Sequence, residues 1–374
     1  MLRMRTKRHS RIRRGWLVLA LLSAFLAGSC TSDQAEPLAP SDPADASAPD
    51  VPTVDTAPTV DTAPTVDTAP TVDTAPPVDS QPPQPAPVSY TGLPFGPFGL
   101  WRIANINWGP QPFTGSHNYI NADGIVQQIN AARALGHRLI LAMTGGLSKD
   151  YTTAGQFDLT KWKNKMDTYD TDTIRNAVAA GVADGTILGN TLIDEPETKQ
   201  WGSNLTKAVI DEMAAYVKHI FSSLPVGVNH GPPAYNKWHT SERYQLVDYV
   251  LYQYAHYVTS GDVAAWRDAV LAQARHEGVT PALSLNILNG GAQDRDGTWD
   301  CTREGQAGRG LRAPNCRMTS TQLKDWGKAL ATAGCFLTVW RYDRSYMSEA
   351  GNQEAFREIA SLAASQPRRS CARP

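Results

Sequence analysis

Three carboxylates crowd around one proline in Thr191-Leu192-Ile193-Asp194-Glu195-Pro196-Glu197, directly after an apolar run. Pro196 has no N–H and cannot continue a strand ladder, so a strand arriving from Thr186 ends here and leaves its acids at a rim. Carboxylates this close oppose each other's ionisation, which raises the pKa of one of them, the property a general acid needs. Asp194 and Glu195 stand on the strand side of the proline and form the candidate pair. Glu197 stands beyond it and is accounted for by a helix cap, an acid near the first turn of the helix that begins around Lys207.

Other polar and aromatic residues gather at the ends of apolar runs: Trp101, Asn105 and Asn107, then Asn229-His230, Tyr252-Gln253-Tyr254, Asn286, and Trp340-Arg341-Tyr342-Asp343. Ten tryptophans occur in the chain and nine lie after residue 90, several of them next to these ends. Rings with a polar edge stack on sugar faces and hydrogen-bond at the rim of a site. Trp162, Trp266 and Trp326 fall in helical patterns and are read as packing. Thr144-Gly145-Gly146 lacks the spacing of a phosphate loop and reads as a tight turn. His230, His239 and His256 lack ligand spacing, so neither a metal nor a cofactor is expected.

The elements that must hold these residues alternate. Apolar runs at Gly99–Ile106, Arg138–Met143, Thr186–Ile193, Val226–Asn229, Tyr249–Tyr254, Ala282–Ile287 and Phe336–Tyr342 read as strands covered on both faces. Stretches at Ala122–Leu135, Thr171–Gly181, Lys207–Phe221, Val263–His276, Thr321–Ala333 and Asn352–Ala363 carry apolar residues at three- and four-residue spacing and read as helices. Leu135-Gly136, Ala180-Gly181 and Ala333-Gly334 have the form of helix stops. Alternation over about 285 residues fits an α/β (β/α)8 TIM-type barrel or a doubly wound sheet. Polar groups at nearly every strand end favour the barrel, whose strands all end at one mouth. Seven strands are clear, and the eighth is expected between Leu147 and Asp170 unless the barrel is irregular.

Asp194-Glu195-Pro196 resembles the Asn-Glu-Pro that closes the fourth strand of retaining (β/α)8 glycoside hydrolases. The resemblance implies Glu195 as acid/base and Asp194 as the neighbour that positions substrate. Those enzymes place a nucleophilic glutamate at the end of the seventh strand. Here the last strand offers Asp343 instead, either as the second carboxylate or as an ion-pair partner of Arg341 or Arg344. The chitinase-like hydrolases use a tyrosine from a later strand, a part Tyr252 or Tyr254 could take. The resulting expectation is hydrolysis of glycosidic bonds in a poly- or oligosaccharide. The alternative is a non-catalytic barrel that binds glycan or a partner through the same mouth.

The N-terminal region has its own chemistry. Seven Lys or Arg occupy the first fourteen residues, an apolar run follows from Trp16 to Ala27, and Gly28-Ser29-Cys30 comes next. A basic start, a short apolar core and small residues make a secretion signal, too short for a comfortable membrane span. Ala27-Gly28-Ser29-Cys30 resembles the lipobox of bacterial lipoproteins, which implies lipidation of Cys30 and loss of residues 1–29. Residues 30–89 hold ten acids, no base, no aromatic residue and a Val-Asp-Thr-Ala-Pro-Thr hexad from Val54. Such a stretch cannot bury a core and reads as a disordered spacer reaching about 180 Å when extended. Residues 90–374 form the folded domain, with 28 basic and 26 acidic residues. That balance gives no footprint for nucleic acid. The expected partners are a carbohydrate and, through the lipid alone, the membrane of the cell envelope; the domain is expected outside the cytoplasm and as a monomer. Four further cysteines in an exported chain imply disulfides, and sequence neighbours suggest Cys301–Cys316 and Cys335–Cys371.

Overall fold

A computed structural model of the chain describes residues 91–100, 112–231, 242–256, 262–288 and 317–374. Eight strands, β1 (Phe95–Pro97), β2 (Gly115–Tyr119), β3 (Arg138–Ala142), β4 (Ile187–Asp194), β5 (Val226–His230), β6 (Tyr249–Tyr254), β7 (Thr280–Asn286) and β8 (Leu337–Trp340), form one parallel sheet. Each strand pairs with the next in sequence, β8 returns to β1, and a bridge between Phe98 and His117 joins β1 to β2. The bond from Gly99 N to His117 O at 2.8 Å seals that seam. A closed parallel sheet with helices between its strands is the (β/α)8 barrel.

The eighth strand is β2, with the sequence Gly-Ser-His-Asn-Tyr, and not a segment between Leu147 and Asp170. That segment instead holds a two-stranded hairpin, Thr152–Thr153 with Gln156–Phe157, and helix α2 (Leu159–Asp167), which continues from it. The first strand ends at Pro97, ahead of the expected Gly99–Ile106, of which residues 101–106 lie outside the described residues. The other strands fall within two residues of their expected positions.

The remaining helices are α1 (Ile125–Leu135), α3 (Asp172–Ala183), α4 (Lys207–Ile220), α5 (Val263–Glu277), α6 (Ser320–Leu330), α7 (Arg344–Ser348) and α8 (Ala350–Ser365). Their starts follow their sequences. Asp158, Thr171, Thr206, Asp262 and Thr319 each accept a backbone N–H of the first turn of α2, α3, α4, α5 and α6, a cap that stabilises a helix by about 1 kcal/mol. Gly136, with φ of 72°, stops α1 as expected. Gly181 does not stop α3: it is buried inside the helix, where a Cβ would lie 2.7 Å from Ile187 Cδ1.

The barrel interior is filled at its N-terminal end by Ile140, Leu188, Tyr249, Leu251, Ala282 and Phe336. The Tyr249 ring lies so close to Gly227 that a Cβ there would meet it at 2.2 Å. A disulfide joins Cys335 to Cys371 beneath this layer, as expected; Cys301 and Cys316 lie outside the described residues. The C-terminal tail is tied under the barrel by Arg373, which donates to the carbonyls of Tyr244, Gln245 and Val247 at 3.0, 2.7 and 3.2 Å.

Candidate active site

The fourth strand is irregular where it matters. Opposite β5, Thr191 pairs with Gly227 and Asp194 with Asn229, so β4 carries one residue more than its partner. Such a bulge bends the strand and re-aims the side chain that follows. It also frees the Leu192 carbonyl from the ladder. Two side chains fill the gap: the Thr144 hydroxyl after β3 and the Trp162 indole of α2 both donate to Leu192 O. The Thr144 turn and α2 therefore serve the bulge, and through it the acids beyond.

Glu195 follows at φ of 45°, left-handed backbone that a side chain with a Cβ adopts at a cost of about 1–2 kcal/mol. Its backbone is fully held. Its N–H donates to Asn229 O at 2.8 Å, and its carbonyl accepts from Thr198 N at 3.0 Å and Thr198 Oγ1 at 2.8 Å. Asp194 is held twice, by Asn229 Nδ2 on its carboxylate and by Trp201 Nε1 on its carbonyl at 2.9 Å. Trp201 is buried against Tyr151 and Phe157, so it positions Asp194 from behind.

Glu197 belongs to the same cluster and does not cap a helix; Thr206 caps α4. Its Oε2 lies 3.0 Å from His230 Nδ1, and its Oε1 accepts the Gly231 N–H at 2.5 Å. His230 is buried and its Nε2 lies 3.1 Å from Tyr244 Oη. Three carboxyls thus meet at the end of β4, against β5, with one histidine beside them. Asp194 and Glu195 are partly open to solvent. Burial, then the charges of Asp194 and Glu197, push Glu195 up to about 8. Desolvation, assisted by the charge of Glu197, raises Asp194 to about 6 against the opposing bond from Asn229. Both shifts run the same way, toward a protonated carboxyl in the cluster.

The remaining candidates divide by strand face. Gln253 and Asn286 share the inward side with Leu251 and Ala282, since side chains alternate along a strand; Asn286 Nδ2 donates to Gln253 Oε1 at 3.2 Å. Tyr252 and Tyr254 take the opposite side. Tyr254 is packed between Trp266 of α5 and Trp326 of α6, with ring centroids at 5.1 and 5.5 Å. Its Oη lies 2.9 Å from His256 Nδ1. Tyr252 is buried and stacks on His230 at 6.3 Å. Across the barrel, Trp340 is half-buried at the end of β8, 4.8 Å from the Phe98 ring, with the Arg341 guanidinium 5.8 Å from its own ring. Asp343 Oδ1 accepts from Tyr346 N at 2.9 Å and from Ser345 Oγ at 2.6 Å, as the N-cap of α7. Cys30, Trp101, Asn105 and Asn107 lie outside the described residues. Among the described residues no cluster of His, Cys, Asp and Glu is placed to hold a metal ion.

Gly231 is absent from the candidates legible in the sequence, and Glu197 is legible there only as a helix cap. The nearest thing to a signal for the two was the pairing of Glu-Pro-Glu after one strand with Asn-His-Gly after the next.

By sequence, no family model and no curated protein matches the chain. Solved structures with a similar chain path include one described as a candidate glycoside hydrolase from Parabacteroides distasonis: 8% identity, 75% of this chain, 95% of that one, TM-score 0.47. A β-glucanase from Saccharophagus degradans in complex with cellotetraose is 13% identical over 74% of this chain and 89% of its own, at 0.45. A GH10 xylanase from Thermobacillus composti is 12% identical over 73% and 97%, at 0.41. At these values neither activity nor substrate carries over, and the barrel assignment rests on the strand order and the closing register described above.

Proposed function

We propose that the domain is a carbohydrate-active barrel that hydrolyses glycosidic bonds, with Glu195 as the general acid. One observation carries this reading: at the end of the fourth strand, in the barrel mouth, the Glu195 carboxyl stands beside those of Asp194 and Glu197, whose charges add to burial in opposing its ionisation. A glycosidic oxygen leaves poorly without a proton, and a donor with a pKa near ambient pH both holds that proton and releases it. Asp194, fixed by Asn229, is the neighbour that would contact the sugar. Asn286 and Gln253 offer hydrogen-bonding edges for hydroxyl groups, and the half-buried Trp340 ring offers an apolar face. In this reading a lipid on Cys30 and the spacer 30–89 hold the barrel outside the cytoplasm, facing a poly- or oligosaccharide.

A second reading, a barrel that binds glycan without cleaving it, is favoured by the opposite wall. Two-carboxylate hydrolysis needs a second acid facing the first. Strand β7 ends on Asn286, and the Asp343 carboxylate after β8 is engaged as a helix cap. Hydrolysis with Asp343 as the second acid would use a carboxylate whose Oδ1 already serves the cap. Reducing-end release from a panel of polysaccharides, by the wild-type protein and by Glu195→Gln, separates the two. Hydrolysis predicts release that falls by at least about 100-fold in the variant. Equal release from both removes Glu195 as the acid; release from neither, with glycan binding retained, selects the binding reading.

A further inference from the structure

We infer that Glu197 is a positioning residue for Glu195: clamped by His230 and the Gly231 amide, it sets one carboxylate oxygen in the space beside Gly231 that the Glu195 carboxyl also occupies. This rests on Glu195 being the acid of the proposed reaction. The clamp is tight. Both Glu197 oxygens are bonded, its side chain is 7% exposed, and the His230 side chain is 5% exposed. His230 in turn leans on Tyr244, whose ring carries Lys207 Nζ at 5.0 Å, and Lys207 is bonded to Glu277 Oε1 and Glu242 O, each at 3.0 Å. Glu197 therefore has no room to turn away.

Gly231 shows where the two acids meet. A Cβ on this residue would lie 2.9 Å from Glu197 Oε1 and 3.1 Å from Glu195 Oε1, so both carboxyls converge on the one side of a residue that has no side chain. Like charges that converge on one point oppose each other's ionisation. Among the described residues, the titratable groups around Glu195 are Asp194 and Glu197 on its own segment and His230 on β5. Tyr244 and Tyr252 lie behind His230, with Lys207 and Glu277 beyond Tyr244. A purely structural role for Glu197, tying the end of β4 to β5, would survive replacement by glutamine, which keeps an oxygen for the Gly231 N–H and turns an amide N–H toward His230 Nδ1, where the neutral ring can accept it, while the charge is lost.

The test is Glu197→Gln. The basic limb of kcat/KM against pH reports the free enzyme's acid, and it is expected to move down by about one pH unit with KM little changed. The protonation of Glu195 is followed independently of any substrate by the carboxyl stretch in infrared spectra, assigned by its loss in Glu195→Gln. The same downward shift is expected there. An unchanged infrared titration overturns the inference whether or not sugar is cleaved. A shifted titration without hydrolysis upholds it and sinks the hydrolase reading instead. Gly231→Ala is the second variant: its methyl must part the two carboxyls, with an expected fall in kcat of about 100-fold and an unchanged circular dichroism spectrum. Undiminished kcat in that variant also overturns the inference.

Discussion

At the N-terminal end of the barrel, Ile140, Leu188, Tyr249, Leu251, Ala282 and Phe336 pack over a disulfide, and the tail beyond it is tied to the strand starts. At the C-terminal end, the same strands present Asp194, Glu195, Asn229, Gln253 and Asn286, partly open to solvent or bonded to one another. One end buries apolar rings and a covalent staple; the other holds a left-handed glutamate and three carboxyls at close quarters. The difference teaches how the fold separates its tasks: a closed, well-packed base supplies stability that a strained, charged rim spends.

Substitutions at the two ends should therefore part stability from activity. The largest stability effect is expected from Cys371→Ser, which opens a bridge spanning 36 residues and should cost about 2–5 kcal/mol in denaturant unfolding. Its activity per folded molecule should stay at the wild-type level. Gly227→Ala drives a methyl into the Tyr249 ring and should cost about 1–3 kcal/mol, again with the rim untouched. At the rim the sign reverses. Glu195→Gly relieves a left-handed side chain and should gain about 1 kcal/mol while losing the acid; a loss of stability would show that the rim is not strained.

A further effect is expected from pH, reduced by solvent screening because Glu195 is partly open to solvent. Its folded pKa lies above its ordinary 4.5, so the folded state keeps the proton longer than the unfolded chain does. Stability should be fully present below about 4.5 and decline as pH rises toward 8. In Glu195→Gln that part of the decline should vanish, which thermal unfolding across the range would register.

The sequence carried the barrel well where strands are apolar runs. Tyr249–Tyr254 was legible to the residue, and Asp194 and Glu195 could be placed at a strand end because a proline follows them. Strand β2 was illegible for a physical reason: Ser116, His117 and Asn118 are polar yet buried, and an apolar-run reading cannot find them. Helix α2 is legible only as a helical pattern at Trp162, without bounds, because its buried face has only Trp162 and Met166, one pair at i, i+4. Local spacing makes Glu197 look like a helix cap because its partners, His230 and Gly231, lie more than thirty residues on, across a strand pairing that such spacing does not reveal.

Proton donation by Glu195 is tested most directly by changing the leaving group. Two substrates with the same sugar should be compared on the wild-type protein and Glu195→Gln, one with a sugar alcohol that needs protonation to leave and one with a dinitrophenolate that does not. A fall of about 100-fold or more on the first, with most of the rate retained on the second, is the expected result. An equal fall on both would contradict a proton-donating role for Glu195, and so would a wild-type protein that cleaves neither.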